Sequence, residues 1–375
     1  MTLPSPSDFS MVLKEPLNER ILLLDGLSRC GKMLVAPIVS NLEKVDYAQY
    51  AAAVDHIPIL WRLGKLDSNA AAAFLRLTAD VFMYDRVVGR HLNTRTNDVY
   101  SIYRSLEFST LISRSVGPEG PDVIRTFNTE GRIHSFVTHE MVPHADLWFE
   151  AFPNVMFLYI DRHPIDLCYS WYRRGWGHRW GTDPMAFIPA PIAGGAALPW
   201  FATDFADEYH RMTPPNRIVS CVLALNEMYA ATMRGWPENK TGQVLTTHFE
   251  TMAMSPQEEV DRIANWLGVD VHPININHEI FWGIEEMIYC LDEPQADLAP
   301  MLVSYISNIA KEQYGIKVLL SGAGGDDVFS GYRRHHATVI DNYMSKVPKL
   351  FRSKFKDLIQ RLPLNYNLIR RLKKY

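Results

Sequence analysis

The chain has 375 residues, of which 47% are hydrophobic and 21% are charged, values typical of a folded globular protein. Its formal net charge of −4 argues against a nucleic-acid-binding protein, and no stretch reaches the ~18 apolar residues that a membrane span needs. The cysteines Cys30, Cys168, Cys221 and Cys290 are far apart, which argues against structural zinc and disulfides and fits a reducing compartment. Residues 1–20 lack the apolar core of a signal peptide, so a cytoplasmic location is expected.

A short apolar strand and the loop after it give the first indication of a binding site. Residues 21–24 form a run typical of a strand that is buried on both faces. Asp25 and a loop bounded by Gly26 and Gly31 follow, and residues 33–39 begin a predicted helix. Backbone N–H groups converge in such a loop and the helix dipole favours negative charge, so the sequence predicts an anion site.

The residues of this loop leave three interpretations open. Gly26 to Lys32 fits the Walker A pattern G-x-x-x-x-G-K. Met33 stands where a Ser or Thr hydroxyl would hold Mg²⁺, which argues against metal-assisted phosphoryl transfer. The second interpretation is a metal-free phosphosulfate loop, in which Arg29 and Lys32 supply positive charge. The third is an ordinary glycine turn between a strand and a helix.

The next predicted strand, residues 133–138, ends in the sequence Thr138-His139-Glu140. The carboxyl end of a strand faces the crevice in which open α/β sheets bind ligands. His139 is therefore a candidate functional residue, with a packed imidazole as the alternative.

A third buried strand is predicted over residues 153–160, and Asp161 and Arg162 follow it directly. Pro164 and Asp166 suit the first turn of the helix that follows. Ser170 lies about two helical turns after Arg162, so both side chains can face one phosphate.

The stretches between these landmarks are predicted less specifically. Residues 46–114 are expected to be mainly helical, and residues 216–233 form a predicted amphipathic helix. Residues 176–200 are rich in Gly, Pro, Ala and Trp and too irregular for one element. A connector of this length is either a lid or substrate wall, or a surface excursion.

The pattern Arg-x-Pro-x-Asp-x-x-x-Ser, from Arg162 to Ser170, resembles the 3′-phosphate site of sulfotransferases that use 3′-phosphoadenosine 5′-phosphosulfate (PAPS). Thr138-His139 lies at the spacing of that family's Lys-Thr-His segment, and residues 244–269 resemble its later strand and cap helix. The resemblance covers residues 18–275. It implies an α/β fold, a P-loop-type parallel sheet flanked by helices.

The resemblance also implies a function, the transfer of a sulfuryl group from PAPS to a hydroxyl or amine of an unidentified acceptor. His139 is the expected catalytic base, with Glu140 as the alternative, and Arg29 and Lys32 are expected to offset charge on the bridging oxygen. No metal and no nucleic acid are expected, and the oligomeric state stays open. The residues expected to hold PAPS are Ser28, Arg29, Cys30, Gly31, Lys32, Met33, Arg162 and Ser170.

The sequence departs from the family pattern at several positions. Arg29 stands where cytosolic members have Lys, and Lys32-Met33 replaces two Thr. His248-Phe249-Glu250 replaces Tyr-Glu-Asp. No Arg-Lys-Gly segment occurs near the end of the chain, so any further contacts to a 3′-phosphate must come from elsewhere.

A second resemblance begins after residues 272–277. Residues 321–332 nearly repeat the Ser-Gly-x-Gly-x-Asp-Glu-x-Phe-x-Gly-Tyr loop of the asparagine synthetase domain, in which Asp326 matches a residue that helps bind Mg²⁺-pyrophosphate. The ATP-binding Ser-Gly-Gly-x-Asp-Ser loop of that family is absent from the chain. We therefore expect a small, partial α/β segment over residues 279–340 and a basic tail over residues 341–375. The matching loop residues are Ser321, Gly322, Gly324 and Asp326.

Three other functions stay open on the sequence. One is an ATP-dependent amide-forming enzyme of the asparagine synthetase type, which the missing ATP loop disfavours. Another is a P-loop kinase, which Met33 disfavours. The third is a non-catalytic fusion or scaffold protein.

Overall fold

A five-stranded parallel sheet lies at the centre of the first part of the chain. The computed structural model describes residues 9–271, 284–291 and 299–314. Its strands run in the order β2-β3-β1-β4-β7, and a separate two-stranded hairpin is made by β5 and β6. The strands are β1 Ile21–Asp25, β2 Gln49–Tyr50, β3 His134–Val137, β4 Met156–Asp161, β5 Ile192–Ala193, β6 Ala196–Ala197 and β7 Val244–His248.

Helices connect the strands and cover both faces of the sheet. Those of the first part are α1 Lys32–Val39, α2 Ala52–Arg62, α3 Ser68–Val87, α4 Phe108–Ser113, α5 Pro121–Thr129, α6 Ala145–Ala151, α7 Pro164–Arg173, α8 Trp176–Arg179, α9 Ala206–Arg211, α10 Pro214–Arg234, α11 Phe249–Met254 and α12 Pro256–Leu267. None of the helices within the described ranges is both long and apolar enough to cross a membrane.

Strand β1 shows why its sequence is apolar without interruption. Ile21 and Leu23 point into a core formed with α2, α3, α6 and α10. Leu22 and Leu24 point to the opposite face, into a core formed with α1 and α12. Because successive side chains alternate between the faces, a strand covered on both sides needs an apolar residue at every position. The predicted α/β fold, a parallel sheet flanked by helices, is confirmed.

The predicted strands and helices of the first part are found within a few residues of their expected bounds. The main difference is β2, a two-residue edge strand inside the stretch predicted as mainly helical. It pairs in parallel with β3 through Gln49 and Tyr50. Two residues are too few to produce a recognisable alternation, so no sequence pattern indicated this strand.

The chain divides into a first unit, Met1–Pro273, and a second unit, Ile274–Tyr375. Within the described part of the second unit, helix α13 spans Ile284–Leu291 and helix α14 spans Ala299–Tyr314. The loop residues Ser321, Gly322, Gly324 and Asp326 and the basic tail lie outside the described residues.

A buried charge cluster fixes the start of the segment that leads to β2. Asp46 is fully buried, 3.1 Å from Arg86 and 2.8 Å from Arg114. Its backbone N–H donates to the carbonyl oxygen of Ile133, and its own carbonyl oxygen accepts a hydrogen bond from the Ser135 hydroxyl. Asp46 therefore holds this segment next to β3. The two guanidinium groups hold the pKa of the Asp46 carboxyl well below its usual range, against the opposing effect of burial.

We predict that Asp46→Asn lowers the free energy of unfolding by about 3–5 kcal/mol, because Arg86 then stays buried without its counter-charge. Asp122→Asn is the control, since Asp122 pairs with Arg125 on the surface with its side chain 79% exposed, and we expect a change below ~1 kcal/mol. Urea unfolding measures the free energy of unfolding of both variants.

The lowered pKa of Asp46 stabilises the folded protein at pH values above the pKa of this carboxyl in the unfolded chain, about 3.9. This contribution is lost as the pH falls through the folded value, so the difference between wild type and Asp46→Asn narrows under acid. Equal losses in the two variants would contradict the prediction.

Candidate active site

A cavity of about 570 Å³ opens at the carboxyl ends of the central strands. The loop after β1, the turn after β3 and the residue after β4 all reach it, as expected for an open α/β sheet. Basic side chains and an extended set of apolar and aromatic side chains share its lining. The basic residues are Arg29, Lys32, Arg162, Arg174 and Arg179, and the apolar set includes Ile59, Trp176, Trp180, Met185, Phe187, Ile188, Phe201 and Phe249.

The loop between β1 and α1 adopts a conformation that its glycines permit. Gly26 has φ +138° and Gly31 has φ +115°, both in the region that favours glycine. Gly31 precedes α1 and faces Phe249, whose ring would lie 2.2 Å from an added Cβ. The first N–H groups of a helix have no acceptor within the helix, so the amides at the start of α1 can bind an anion in the cavity.

Lys32 and Cys30 contribute less side-chain surface to the cavity than their positions suggest. The Lys32 ammonium group donates to the carbonyl oxygens of Gly26 and Leu27, and the side chain is buried. Cys30 is buried beneath the loop, where burial raises the pKa of its thiol. Of these two predicted binding residues, Lys32 lines the cavity and Cys30 does not.

Residues from the loop and from α7 form one hydrogen-bonded group. Arg29 Nε donates to Ser170 Oγ over 3.2 Å. Arg162 Nη1 donates to the carbonyl oxygen of Arg29 over 3.0 Å, and Trp171 Nε1 donates to that of Ser28 over 2.6 Å. The structure therefore brings Arg29, Arg162 and Ser170 together, with Ser170 behind Arg29 and outside the cavity lining.

Arg174, at the end of α7, joins this cationic group. It lines the cavity, and it acts with Arg162 and partial burial to lower the pKa of Arg29. Within the described residues, no carboxylate lies within ion-pair distance of Arg29, Arg162 or Arg174. The Nε atom of Arg162 is buried and has no hydrogen-bond partner within the same residues. Like charges held together without counter-charges favour the binding of an anion.

His139 lines the same cavity and is held by Asp55 of α2. Asp55 Oδ2 lies 3.0 Å from His139 Nδ1, and Asp55 Oδ1 accepts the backbone N–H of His139 over 3.2 Å. The Tyr50 ring contacts the imidazole edge to face, with ring centroids 5.1 Å apart. With Nδ1 directed at the carboxylate, Nε2 is the nitrogen available to a ligand.

Burial changes the pKa of both members of the Asp55–His139 pair. It lowers the pKa of His139 to about 4, with the nearby Lys32 adding to the effect. It also raises the pKa of Asp55 well above the usual range, as does the Asp25 carboxylate. Both changes have one physical cause, since burial disfavours charged forms. An ionised Asp55 beside a neutral His139 carries a net negative charge, so the pair as a unit readily takes up one proton.

Glu140, the alternative base, is occupied differently. Its backbone has φ +57°, and its Oε1 accepts the N–H of Ser28 over 2.7 Å. Burial raises the pKa of its carboxyl group. Glu140 lines the cavity but holds the loop after β1, whereas Nε2 of His139 has no hydrogen-bond partner within the described part of the chain.

Two residues at the site have no assigned role in the sequence analysis. Arg174 lies four residues after Ser170, one turn along α7, so helical spacing could have identified it. Asp55 comes from α2, which carries no recognisable motif, and only the tertiary fold brings it to His139.

Comparisons with known proteins find two family models in this chain. The model described as "Sulfotransferase domain" matches residues 70–281, and the model described as "Asparagine synthase" matches residues 222–374. The two matches share residues 222–281. In the structure, part of the shared stretch forms β7, which pairs with β4 in the sheet of the first unit. The arrangement expected from the sequence, a sulfotransferase-like part followed by an asparagine-synthetase-like part, is confirmed.

Several solved structures similar to this chain are sulfotransferases or sulfotransferase domains. The sulfotransferase domain from the curacin biosynthetic pathway is 10% identical, with a TM-score of 0.36, over 69% of this chain and 77% of that one. The sulfotransferase from Alicyclobacillus acidocaldarius is 14% identical, with a TM-score of 0.34, over 76% and 98%. The sulfotransferase domain from the Synechococcus PCC 7002 olefin synthase is 9% identical, with a TM-score of 0.32, over 90% and 99%.

A curated relative matches a shorter stretch. Amidase chyE of Penicillium rubens is 34% identical over 80 residues, which are 21% of this chain. The match spans only 12% of the length of that protein.

We predict that Gly31→Ala lowers the free energy of unfolding by about 1–3 kcal/mol more than Gly120→Ala, because the new methyl group collides with the Phe249 ring. Gly120 is the control, since it has φ +102° but no neighbour within 4 Å of an added Cβ. Urea unfolding measures both variants. Adding Phe249→Ala to Gly31→Ala should reduce the excess loss. Equal losses in the two single variants would show that the ring moves aside freely.

Proposed function

The chain belongs to the sulfotransferase domain family, and we propose that it transfers a sulfuryl group from PAPS to a hydroxyl or amine of an acceptor. The observation that supports this most is the cation group Arg29, Arg162 and Arg174 facing one cavity together with His139. A donor with phosphates at both ends of a nucleoside needs several cations, and an acceptor hydroxyl needs a base.

The cation group fits the 3′-phosphate and 5′-phosphosulfate of PAPS. In this proposal Arg162 and Arg174 bind the 3′-phosphate, and Arg174 supplies the contact that the missing Arg-Lys-Gly segment would otherwise provide. The buried Nε of Arg162 gains the acceptor that it lacks within the described residues. Ser170 acts indirectly, because its hydroxyl holds the Arg29 guanidinium.

The loop after β1 is proposed to bind the phosphosulfate end. Arg29, Gly31 and Met33 line the cavity, where the Arg29 guanidinium and the backbone amides at the start of α1 favour negative charge. Ser28 positions the loop through its backbone, which bonds Glu140 and Trp171. Cys30 fills the space beneath the loop. Lys32 adds a nearby positive charge while its ammonium group braces the loop carbonyls.

PAPS supplies the sulfuryl group together with a phosphate leaving group. As the acceptor oxygen bonds to sulfur, the bond from sulfur to the bridging oxygen breaks, and its electron pair stays with 3′-phosphoadenosine 5′-phosphate. Arg29 and Lys32 stabilise the charge that develops on that oxygen. His139 Nε2 takes the acceptor's proton, and Asp55 stabilises the imidazolium that results.

We place this activity in residues 18–275. All the residues named above lie in the first unit, Met1–Pro273. We propose no ATP chemistry for residues 279–340, which lack the ATP loop of the asparagine synthetases, and none for the basic tail over residues 341–375.

The proposal predicts that 3′-phosphoadenosine 5′-phosphate binds the full chain without Mg²⁺, as measured by calorimetry. Arg162→Ala and Arg174→Ala should each weaken binding by roughly ten- to a hundredfold, the effect of losing a charge-assisted hydrogen bond. Arg173→Ala is the matched control, since Arg173 lies on the same helix, is exposed and does not line the cavity. Binding of ATP with Mg²⁺ and not of the bisphosphate would overturn the assignment. Equal losses for Arg173 and Arg174 would exclude a specific contact from Arg174.

The proton-acceptor role predicts a dependence on pH. The Asp55–His139 pair must be unprotonated, so activity is present above the pKa of the pair and is lost as the pH falls through it. In Asp55→Asn the base is the half-buried His139 alone, with a pKa of about 4 in the ligand-free wild type. The acid limb of the pH–rate profile should therefore move to lower pH. At pH 7, kcat should fall by about a hundredfold, because a weaker base takes the proton.

Rates of sulfate transfer measured between pH 4 and 9 test the role of the pair. Asp146→Asn, an exposed carboxylate outside the cavity lining, is the control and should keep the wild-type profile. A lower rate in Asp55→Asn without a shift of the acid limb would reduce Asp55 to a packing role. His139→Ala should abolish turnover and leave the affinity for the bisphosphate unchanged.

A further inference from the structure

The segment between α7 and α10 forms an ordered wall of the cavity. The Trp180 ring is buried and contacts Trp171 and Phe201, with ring centroids 5.0 and 5.2 Å apart. Gly177 fits closely against Pro214, whose backbone oxygen would lie 2.3 Å from an added Cβ. The sequence predicts residues 176–200 as a lid or substrate wall, or as a surface excursion. In the structure this segment packs against other parts of the first unit and also lines the cavity.

A hydrogen bond places part of this wall next to the base. His56 Nε2 lies 2.9 Å from the carbonyl oxygen of Phe187. The residue before it, Asp55, bonds His139. Because His56 and Asp55 are adjacent on α2, Phe187 lies on the His139 side of the cavity, where the acceptor must bind.

The wall near the base is apolar and accessible. Met185 is 64% exposed and Phe187 is 61% exposed, although both line the cavity. Ala186 and Ile188 between and beside them also line it. Large apolar side chains that stay accessible inside a cavity stabilise a ligand that covers them.

Three polar or charged side chains on this side are already bonded within the protein. Asp55 bonds His139, Arg179 pairs with Asp183, and the His56 ring bonds a backbone carbonyl. A ligand with many hydroxyl groups would find few free partners among these described residues. Each hydroxyl buried without a partner reduces affinity, so this side of the cavity disfavours sugars.

We propose that the acceptor is a neutral alcohol with an apolar body, bound along Met185 to Ile188 with its hydroxyl at His139 Nε2. This inference rests on the proposed function. An alkyl amine carries a proton at neutral pH, with a pKa near ~10, so binding it along this apolar wall removes an ammonium group from water, a cost that a neutral alcohol does not have. In that form the amine also lacks the lone pair with which it would attack sulfur. In the transfer, the alcohol's O–H proton goes to His139, its oxygen bonds to sulfur, and the products are an alkyl sulfate and 3′-phosphoadenosine 5′-phosphate.

Binding is tested by calorimetry on the full chain saturated with 3′-phosphoadenosine 5′-phosphate. The probes are 1-octanol, octylamine and glucose at matched concentrations. We expect 1-octanol to bind and octylamine and glucose to bind at least tenfold more weakly. Tighter binding of glucose or of octylamine than of 1-octanol would overturn the inference, and so would failure of all three to bind.

Variants assign the site of binding. Phe187→Ala should weaken binding of 1-octanol by roughly tenfold through the loss of apolar contact, with the affinity for the bisphosphate unchanged. The side chain is exposed, so this substitution does not open a hole in the core. Val116→Ala is the control, since Val116 is 88% exposed and outside the cavity lining. Equal affinities of the two variants for 1-octanol would exclude the wall at Phe187 as the binding site of the alcohol.

Turnover separates the inference from the function on which it rests. With PAPS and 1-octanol, we expect octyl sulfate and the bisphosphate to form in equal amounts. If the bisphosphate itself does not bind, the proposed function fails and the inference fails with it. If the bisphosphate binds and glucose, in place of 1-octanol, is sulfated, the function stands and only the acceptor class is wrong.

Discussion

One buried carboxylate, that of Asp25, joins the two strands on which the site is built. It is the last residue of β1, and its oxygens accept the hydroxyl of Thr138 and the backbone N–H groups of Met141 and Val142. These bonds fix the turn after β3 against the start of the loop after β1. A buried carboxylate is costly unless its oxygens are bonded, so these bonds leave the turn little freedom to shift. The bond from Ser28 N–H to Glu140 joins the same two segments a second time.

This arrangement also separates acids from cations within one cavity. Asp25, Asp55 and Glu140 lie around the turn after β3, where each is held by hydrogen bonds from the protein. Arg29 stands on the loop after β1, Arg162 directly after β4, and Arg174 at the end of α7. Lys32 braces the loop, and it adds to the effect of burial in lowering the pKa of His139. An anionic ligand at the arginines would have the opposite effect on His139, because a nearby negative charge favours the imidazolium. Donor binding and proton uptake would then favour each other.

The sequence allowed prediction of those parts of the structure that local patterns encode. The apolar runs of β1 and β4 predicted these strands, and the spacing of Arg162 and Ser170 predicted that both side chains face one site. In the structure both bond Arg29, a contact that the sequence did not predict. Their roles stay predictions. Contacts between distant segments could not be predicted, since Asp55 reaches His139 across 84 positions in the sequence. Lys32 also illustrates the limit, because a residue type indicates positive charge but not that its ammonium group faces the loop's own carbonyls.

The departures from the family pattern form one consistent change in this structure. Arg29 is longer and more rigid in its hydrogen bonding than a Lys, and Ser170 is placed to hold its Nε. Ser170 lies outside the cavity lining, so in the proposed function another group must contact the phosphate that the family pattern assigns to it. Arg174 stands one turn further along the same helix and faces the cavity. The positive charge for both ends of the donor then comes from the loop after β1, Arg162 and α7, which one sheet edge holds together. A donor site assembled in this way has no need of an Arg-Lys-Gly segment from later in the chain.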